Sequence, residues 1–440
     1  MKRIVILCDG TWNSPDMAHP TNVVRLGRTL LPSARVPRMR LVDDASVQAT
    51  ETVVGPEGPR EVPVFDTVAQ VPVYVEGVGT GRRGVTRLGR LSDRVLGGAL
   101  GWGLMENVAE AYRHLVFLWE PGDEIHVFGF SRGAFTARSL VGLLRFGGLL
   151  SRAELHRLPE LVARYTAPVY GGTTRRHERN LWWRAAHSRD VLVDPRDLDR
   201  LAAEHGDAEA AEALAVMTRA PRLTVAYLGV WDTVGAMGIP GHWAGAPALN
   251  RRHQFHDTDL SPMVSAARHA LALDERRRDF PPTPWSNLSQ LNGGRVGTPY
   301  RQAWFPGDHG SVGGGGEVTA LSSAALDWVI DGAEAAGLQF HPVLRAELQA
   351  ERDWTGPLRN EPDGIGLGAR AAAKARDLMA GDRDGPDRIA DVHDTARRRW
   401  AFETKGDRPS KGWPYRPRSL DRVARDMDAA PGDDDRGAVT

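Results

Sequence analysis

Ser131 lies in Gly129-Phe130-Ser131-Arg132-Gly133, the G-x-S-x-G spacing that sets a nucleophile on a tight strand-to-helix turn. Small residues on either side let the strand and the helix pass closely. The start of the following helix favours negative charge arriving at the serine. A serine hydroxyl attacks an ester only when a base takes its proton; a histidine does this, and a carboxylate must orient that histidine. Asp232 and His309 provide both groups in the chain order serine, acid, histidine. The tetrahedral oxyanion needs two N–H donors. One is expected from Arg132, just after the nucleophile, and the other from the Gly10-Thr11 loop. Trp12, Phe130, Trp182 and Trp183 are the expected substrate-binding side chains. The chemistry implied is hydrolysis of a carboxylic ester through an acyl-enzyme, with no cofactor and no metal.

Other histidines compete for the role of base. His126 lies inside the strand that leads to Ser131, and His269 falls in an apparent helix. His393 also follows Asp232 in the chain and is the strongest rival. Asp308 is a poor orienting acid because adjacent side chains diverge. Asp9 and Asn13 invite a cation, but too few hard oxygen ligands cluster there for calcium, and closing the turn is the simpler role. Gly313 to Gly316 is followed by no Lys-Ser/Thr, so it is not a phosphate-binding loop.

These residues need a scaffold that brings loops from distant parts of the chain to one edge. The apolar runs Ile4–Cys8, Ile125–Phe130 and Leu223–Trp231 read as buried parallel strands, with Gln302–Phe305 as a last one. Asp9, Ser131, Asp232 and His309 each lie just beyond such a strand. In open α/β sheets ligands bind at that edge. Helical spacing in 105–118, a helix from Arg132 to about Leu144 ended by Gly147-Gly148, and 321–336 complete an α/β alternation. The segment 262–273 also reads as a helix. The fold expected is α/β-hydrolase-like: a mostly parallel central sheet flanked by helices, with a helical cap insertion. Its catalytic domain covers 1–340, with a strand excursion at 36–75 and the cap at 151–222. A helical C-terminal extension, 341–425, packs on the same domain, and a disordered acidic tail, 426–440, follows.

Composition narrows the function. Lys+Arg and Asp+Glu both number 56, which argues against an electrostatically driven nucleic-acid binder. Cys8 is the only cysteine, so neither an intrachain disulfide nor a cysteine-based zinc site can form. No apolar run reaches the length of a membrane span, and the N-terminus lacks signal-peptide character. Synthesis as a cytoplasmic protein is expected, with export by a signal-independent route left open.

Ile4 to Asn13, Glu76-Gly77-Val78-Gly79-Thr80, Gly129 to Arg138, Gly229 to Gly235 and Trp304 to His309 occur in order. Together they resemble the α/β-hydrolase catalytic domain of the first type VI secretion phospholipase effector family. Leu271 to Arg276 and Tyr415-Arg416-Pro417 extend the resemblance over roughly 3–420. It implies a phospholipase of the A type, a lipid or other ester as substrate, transient contact with a membrane surface, and a triad at Ser131, Asp232 and His309. Ser311 departs from the pattern, which has an aspartate there. Two other functions are compatible with the residues: hydrolysis of small or carbohydrate esters, and a catalytically silent binding protein on the same fold.

Overall fold

A computed structural model of the chain describes residues 1–11, 13–42, 45–56, 58–77, 97–167, 180, 183–184, 187–190, 223–235, 259–278, 280–360, 381–402 and 414–429. Strands β1 (Lys2–Cys8), β2 (Ser33–Pro37), β3 (Met39–Val42), β4 (Ala45–Gln48), β5 (Thr50–Gly55), β6 (Gly58–Pro63) and β7 (Phe65–Val75) come first, with helix α1 (Asn22–Thr29) after β1. Helix α2 (Gly97–Leu118), β8 (Glu124–Phe130) and α3 (Arg132–Gly147) follow. The short pair β9 (Leu149–Leu150) and β10 (Ser188–Asp190) flanks α4 (Leu158–Thr166). Strands β11 (Val225–Trp231), β12 (Val264–Ala272) and β13 (Tyr300–Phe305) then complete the main sheet.

That sheet has seven strands in the order β13-β12-β11-β8-β1-β7-β2. Every neighbouring pair is parallel except β2 with β7. Parallel strands buried on both faces must be apolar almost throughout, and β1, β8 and β11 are: six of the seven residues in each are buried. Thr50–Gly55 and Gly58–Pro63 form a hairpin, as do β3 and β4, whereas β7, also within the 36–75 segment, belongs to the main sheet. The chain runs from β1 to β7 on one side and then to β8 on the other. The carboxyl ends of β1 and β8 therefore form a switch point, where a crevice opens between diverging loops.

Two apolar layers cover the sheet. One joins α2 and α3 to residues such as Ile4, Ile6 and Ile125; the other joins α1 and helix 320–335 to Val5, Leu7, Phe128 and Trp231. A third core ties β12 and β13 to the C-terminal region: Leu271, Leu273 and Trp304 pack with Val392, Trp400, Tyr415, Leu420 and Met427.

The structure corrects the helix expected at 262–273. This segment is strand β12, bonded to β11 on one side and β13 on the other. Its Ala-Ala-Arg-His-Ala-Leu-Ala sequence favours a helix locally, but two open strand edges and burial override a propensity worth tenths of a kcal/mol per residue. Residues 426–429, expected in the tail, lie in the helical turn Ala424–Ala429, with Met427 buried. Residues 430–440, and most of the segment expected as a cap, lie outside the described residues.

Candidate active site

The β8–α3 turn carries the first functional group. Ser131 has φ 59° and ψ −122°, a left-handed conformation that non-glycine residues seldom adopt. Its N–H is bonded to Trp231 O at 3.0 Å, which fastens the turn to the neighbouring strand. The turn requires bare backbone on both flanks. A Cβ on Gly129 would lie 2.4 Å from Gly133 O, and one on Gly133 would lie 2.2 Å from Cys8 O and 2.4 Å from Asp9 O. The G-x-S-x-G spacing thus reflects two close backbone crossings, and α3 begins directly after the serine.

Asp232 ends β11 on the same edge, at φ 38° and fully buried. His309 follows β13 and opens the short helix His309–Gly313. Its Nδ1 is 2.5 Å from Asp232 Oδ2. A carboxylate only accepts, so Nδ1 carries the hydrogen and donates, which leaves Nε2 as the basic nitrogen. Phe130 places its ring 4.6 Å from the imidazole, and Phe280 meets it edge-on at 5.0 Å. The Arg277 guanidinium lies over Phe280 at 3.8 Å and is itself held by Glu275. Glu275 also accepts the His309 backbone N–H at 3.3 Å. The imidazole is therefore held at its nitrogen, by two aromatic rings and at its backbone.

A residue that sequence reasoning missed closes the constellation. Arg383 donates from Nη1 to Asp232 Oδ1 at 2.7 Å and from Nη2 to Oδ2 at 3.0 Å. Ala272 N–H adds a bond to Oδ1 at 3.0 Å. Burial works to raise the Asp232 pKa, but the Arg383 charge and the His309 bond outweigh it and hold the carboxyl well below the usual range. Arg383 sits in an irregular, polar segment with no motif around it, so only its ion pair marks it.

The other expected site residues fare differently. Gly10 packs against Ser131, since a Cβ there would lie 3.3 Å from Ser131 Cβ. Its N–H, however, donates to Asp9 Oδ1 at 2.7 Å and is not available to an oxyanion. Thr11 is next in the same loop, and its Oγ1 is buried without a partner among the described residues. Phe130 is buried beneath His309 as a support for the ring. Trp183 is buried near the C-terminal end of α3: its Nε1 donates to Glu160 at 3.0 Å, and Arg184 beside it donates to Arg145 O at 2.8 Å. A 16-residue helix is about 24 Å long, so Trp183 is not brought to Ser131. Trp12 and Trp182 lie outside the described residues.

The rival groups are accounted for by packing. His126 and His269 are wholly buried in strands, and His269 Nε2 accepts the Thr233 N–H at 3.2 Å. His393 stacks on Phe305 at 4.0 Å and caps the helix Asp394–Ala401; burial and nearby arginines push its pKa down to about 3. Asp9 accepts from Thr21 Oγ1 at 2.9 Å and Tyr74 Oη at 2.7 Å, bonds that shape the loop. No group of three or more His, Cys, Asp or Glu side chains able to hold a metal occurs among the described residues. Asp308 caps the His309 helix, accepting from Ser311 N and Oγ, each at 2.9 Å.

The described residues form a mostly parallel α/β protein with a serine, a histidine and an aspartate at one edge of its sheet. The chain belongs to the family described as T6SS phospholipase effector Tle1-like, catalytic domain, which matches residues 2–332. It is 28% identical over 225 residues to the uncharacterized protein YEL023C of Saccharomyces cerevisiae, a match covering 49% of this chain and 27% of the yeast protein. Among solved structures it is similar to an uncharacterized protein from Pseudomonas aeruginosa, at 17% identity and a TM-score of 0.35, covering 87% of this chain and 51% of that one. A Tle1 effector bound to the VgrG spike of the type 6 secretion system gives 15% identity and a TM-score of 0.32, covering 72% and 52%. The chain thus spans about half the length of these solved relatives.

Proposed function

We propose that this chain is a serine hydrolase on an α/β-hydrolase fold, cleaving lipid or phospholipid esters in the manner of a phospholipase A. One observation carries the proposal: Ser131 is held at positive φ on the sheet edge that also bears the hydrogen-bonded Asp232–His309 pair. In this mechanism His309 Nε2 takes the Ser131 proton as Oγ attacks the ester carbonyl carbon. The oxyanion is met by the Arg132 N–H, which has no partner within the first turn of its helix, and by Thr11. Collapse expels the alcohol, which recovers its proton from His309, and leaves an acyl-serine. Water, deprotonated by the same nitrogen, then releases the fatty acid. Membership of a phospholipase effector family supports a lipid ester as substrate. No helix among the described residues is long and apolar enough to cross a membrane.

The test is labelling with a fluorophosphonate probe, followed by release of fatty acid from phospholipid vesicles. Ser131→Ala is expected to abolish labelling and to lower hydrolysis by roughly 10⁴-fold or more, with an unchanged melting curve. Retained hydrolysis in a folded Ser131→Ala protein would remove the serine mechanism. Hydrolysis of soluble p-nitrophenyl esters with phospholipids untouched would keep the mechanism and move the substrate to small esters.

A further inference from the structure

The family match ends at residue 332, yet the buried partner of Asp232 comes from beyond it. Arg383 is 8% exposed and uses all four Nη hydrogens: two on the Asp232 carboxylate, one on Ala272 O at 3.1 Å and one on Phe280 O at 2.6 Å. The Asp232 oxygens are equally occupied. Oδ1 accepts from Arg383 and Ala272 N, and Oδ2 from Arg383 and His309 Nδ1. A carboxylate has about four lone-pair positions, so nothing remains to let it rotate. The segment is tied down around the arginine. Gly381 N donates to Arg276 O at 2.9 Å, and Gly385 passes so close to Ser419 O that a Cβ would lie 1.7 Å from it.

We propose that Arg383 is a positioning residue for the hydrolytic reaction, acting through Asp232, and that the C-terminal extension is thereby part of the catalytic machinery. The inference rests on the triad assigned above. The two-pronged bond fixes the carboxylate plane that aims His309. The positive charge also limits how tightly the Asp232–His309 pair holds a proton. Other charged or titratable groups around the pair are Glu275 and Arg277 from the turn after β12, His269 on β12, Arg138 on α3 and Asp308 beside the histidine. Glu275 is neutralised by Arg277 at 2.6 Å. Arg383 is the one cation bonded directly to Asp232 among the described residues. Removing a positive charge from such a pair raises its proton affinity.

The experiment compares pH profiles of kcat/KM for the wild-type chain, Arg383→Gln, Arg383→Lys and Arg422→Ala. Arg422 is a control in the same region, joined to exposed Asp384 and Asp387. Arg383→Gln is expected to move the acid limb to higher pH and to lower kcat at neutral pH roughly 10- to 100-fold, the range seen when an outer partner of a metal-bound histidine is removed. KM should change little. Arg383→Lys should restore the position of the acid limb while kcat stays reduced, because a single ammonium cannot bridge both oxygens. Arg422→Ala should match the wild type. A folded Arg383→Gln protein with the wild-type acid limb overturns the inference. If that variant does not fold, Arg383→Lys decides: wild-type kcat and profile would likewise overturn it. Failure of the wild type to label at Ser131 would instead remove the triad on which the inference stands.

Discussion

Asp274 links the loop before His309 to the distal part of the chain. Its Oδ2 accepts Gly307 N–H at 2.6 Å and the Tyr415 hydroxyl at 2.8 Å. Burial pushes its pKa from 3.8 to about 6, against the lowering effect of those two bonds. A carboxyl that binds its proton more tightly when folded adds stability below about pH 4, and loses it as pH rises through about 6. Above that range the folded protein holds a poorly solvated anion. Asp274→Asn keeps one oxygen for both donors and cannot ionise. The variant is expected to melt higher than wild type at pH 8, by about 1–2 kcal/mol after allowance for screening, with the advantage gone at pH 4. Melting curves at the two pH values check this, and an advantage that grows toward low pH would contradict it.

The strand-to-helix turn at Ser131 shows why part of this site can be read from sequence alone. G-x-S-x-G records a backbone constraint, and the structure displays the crossings that impose it. The expected outcome for Gly133→Ala follows: a new methyl would press on Cys8 O and Asp9 O, which are backbone atoms that cannot swing aside. Loss of about 1–3 kcal/mol, or more, is expected together with loss of probe labelling, read by melting and by labelling at Ser131. A protein of unchanged stability and activity would show that the strand and helix can part there. Strands β1, β8 and β11 were legible for a related reason, because burial on both faces writes a continuous apolar run. Strand β12 was not, since its alanines and Leu271 favour a helix locally, and only its two neighbouring strands override that preference. Arg383 was invisible for a third reason. A buried ion pair between residues 232 and 383 leaves no periodicity and no local signature. Trp183 misled in the opposite sense: its place in the chain, after the helix that begins at Arg132, suggested the site, but it packs at that helix's far end.

At the scale of the whole molecule, the question is whether the C-terminal region behaves as an appendage or as part of one cooperative unit. The core it shares with the sheet decides for the latter. Trp400 is 6% exposed, within a cluster that includes Leu271 and Leu273 from the end of β12 and Trp304 from β13. Its Nε1 donates to Asp428 at 2.8 Å, and the Arg416 guanidinium lies over its ring at 4.0 Å. The isolated bridge between Trp304 and Val392 joins the same two regions through the backbone. Such contacts connect residues far apart in the chain, from Trp304 to Val392 and from Leu271 to Trp400, so the extension cannot unfold without uncovering the outer strands that lead to His309. Trp400→Ala is therefore expected to cost about 3–5 kcal/mol, by loss of buried surface and creation of a cavity. It should lower a single transition seen at the same temperature by far-ultraviolet circular dichroism and by tryptophan fluorescence. Probe labelling of Ser131 should be lost over that same transition. Two separated transitions, with labelling surviving the first, would instead make the C-terminal region an independent unit.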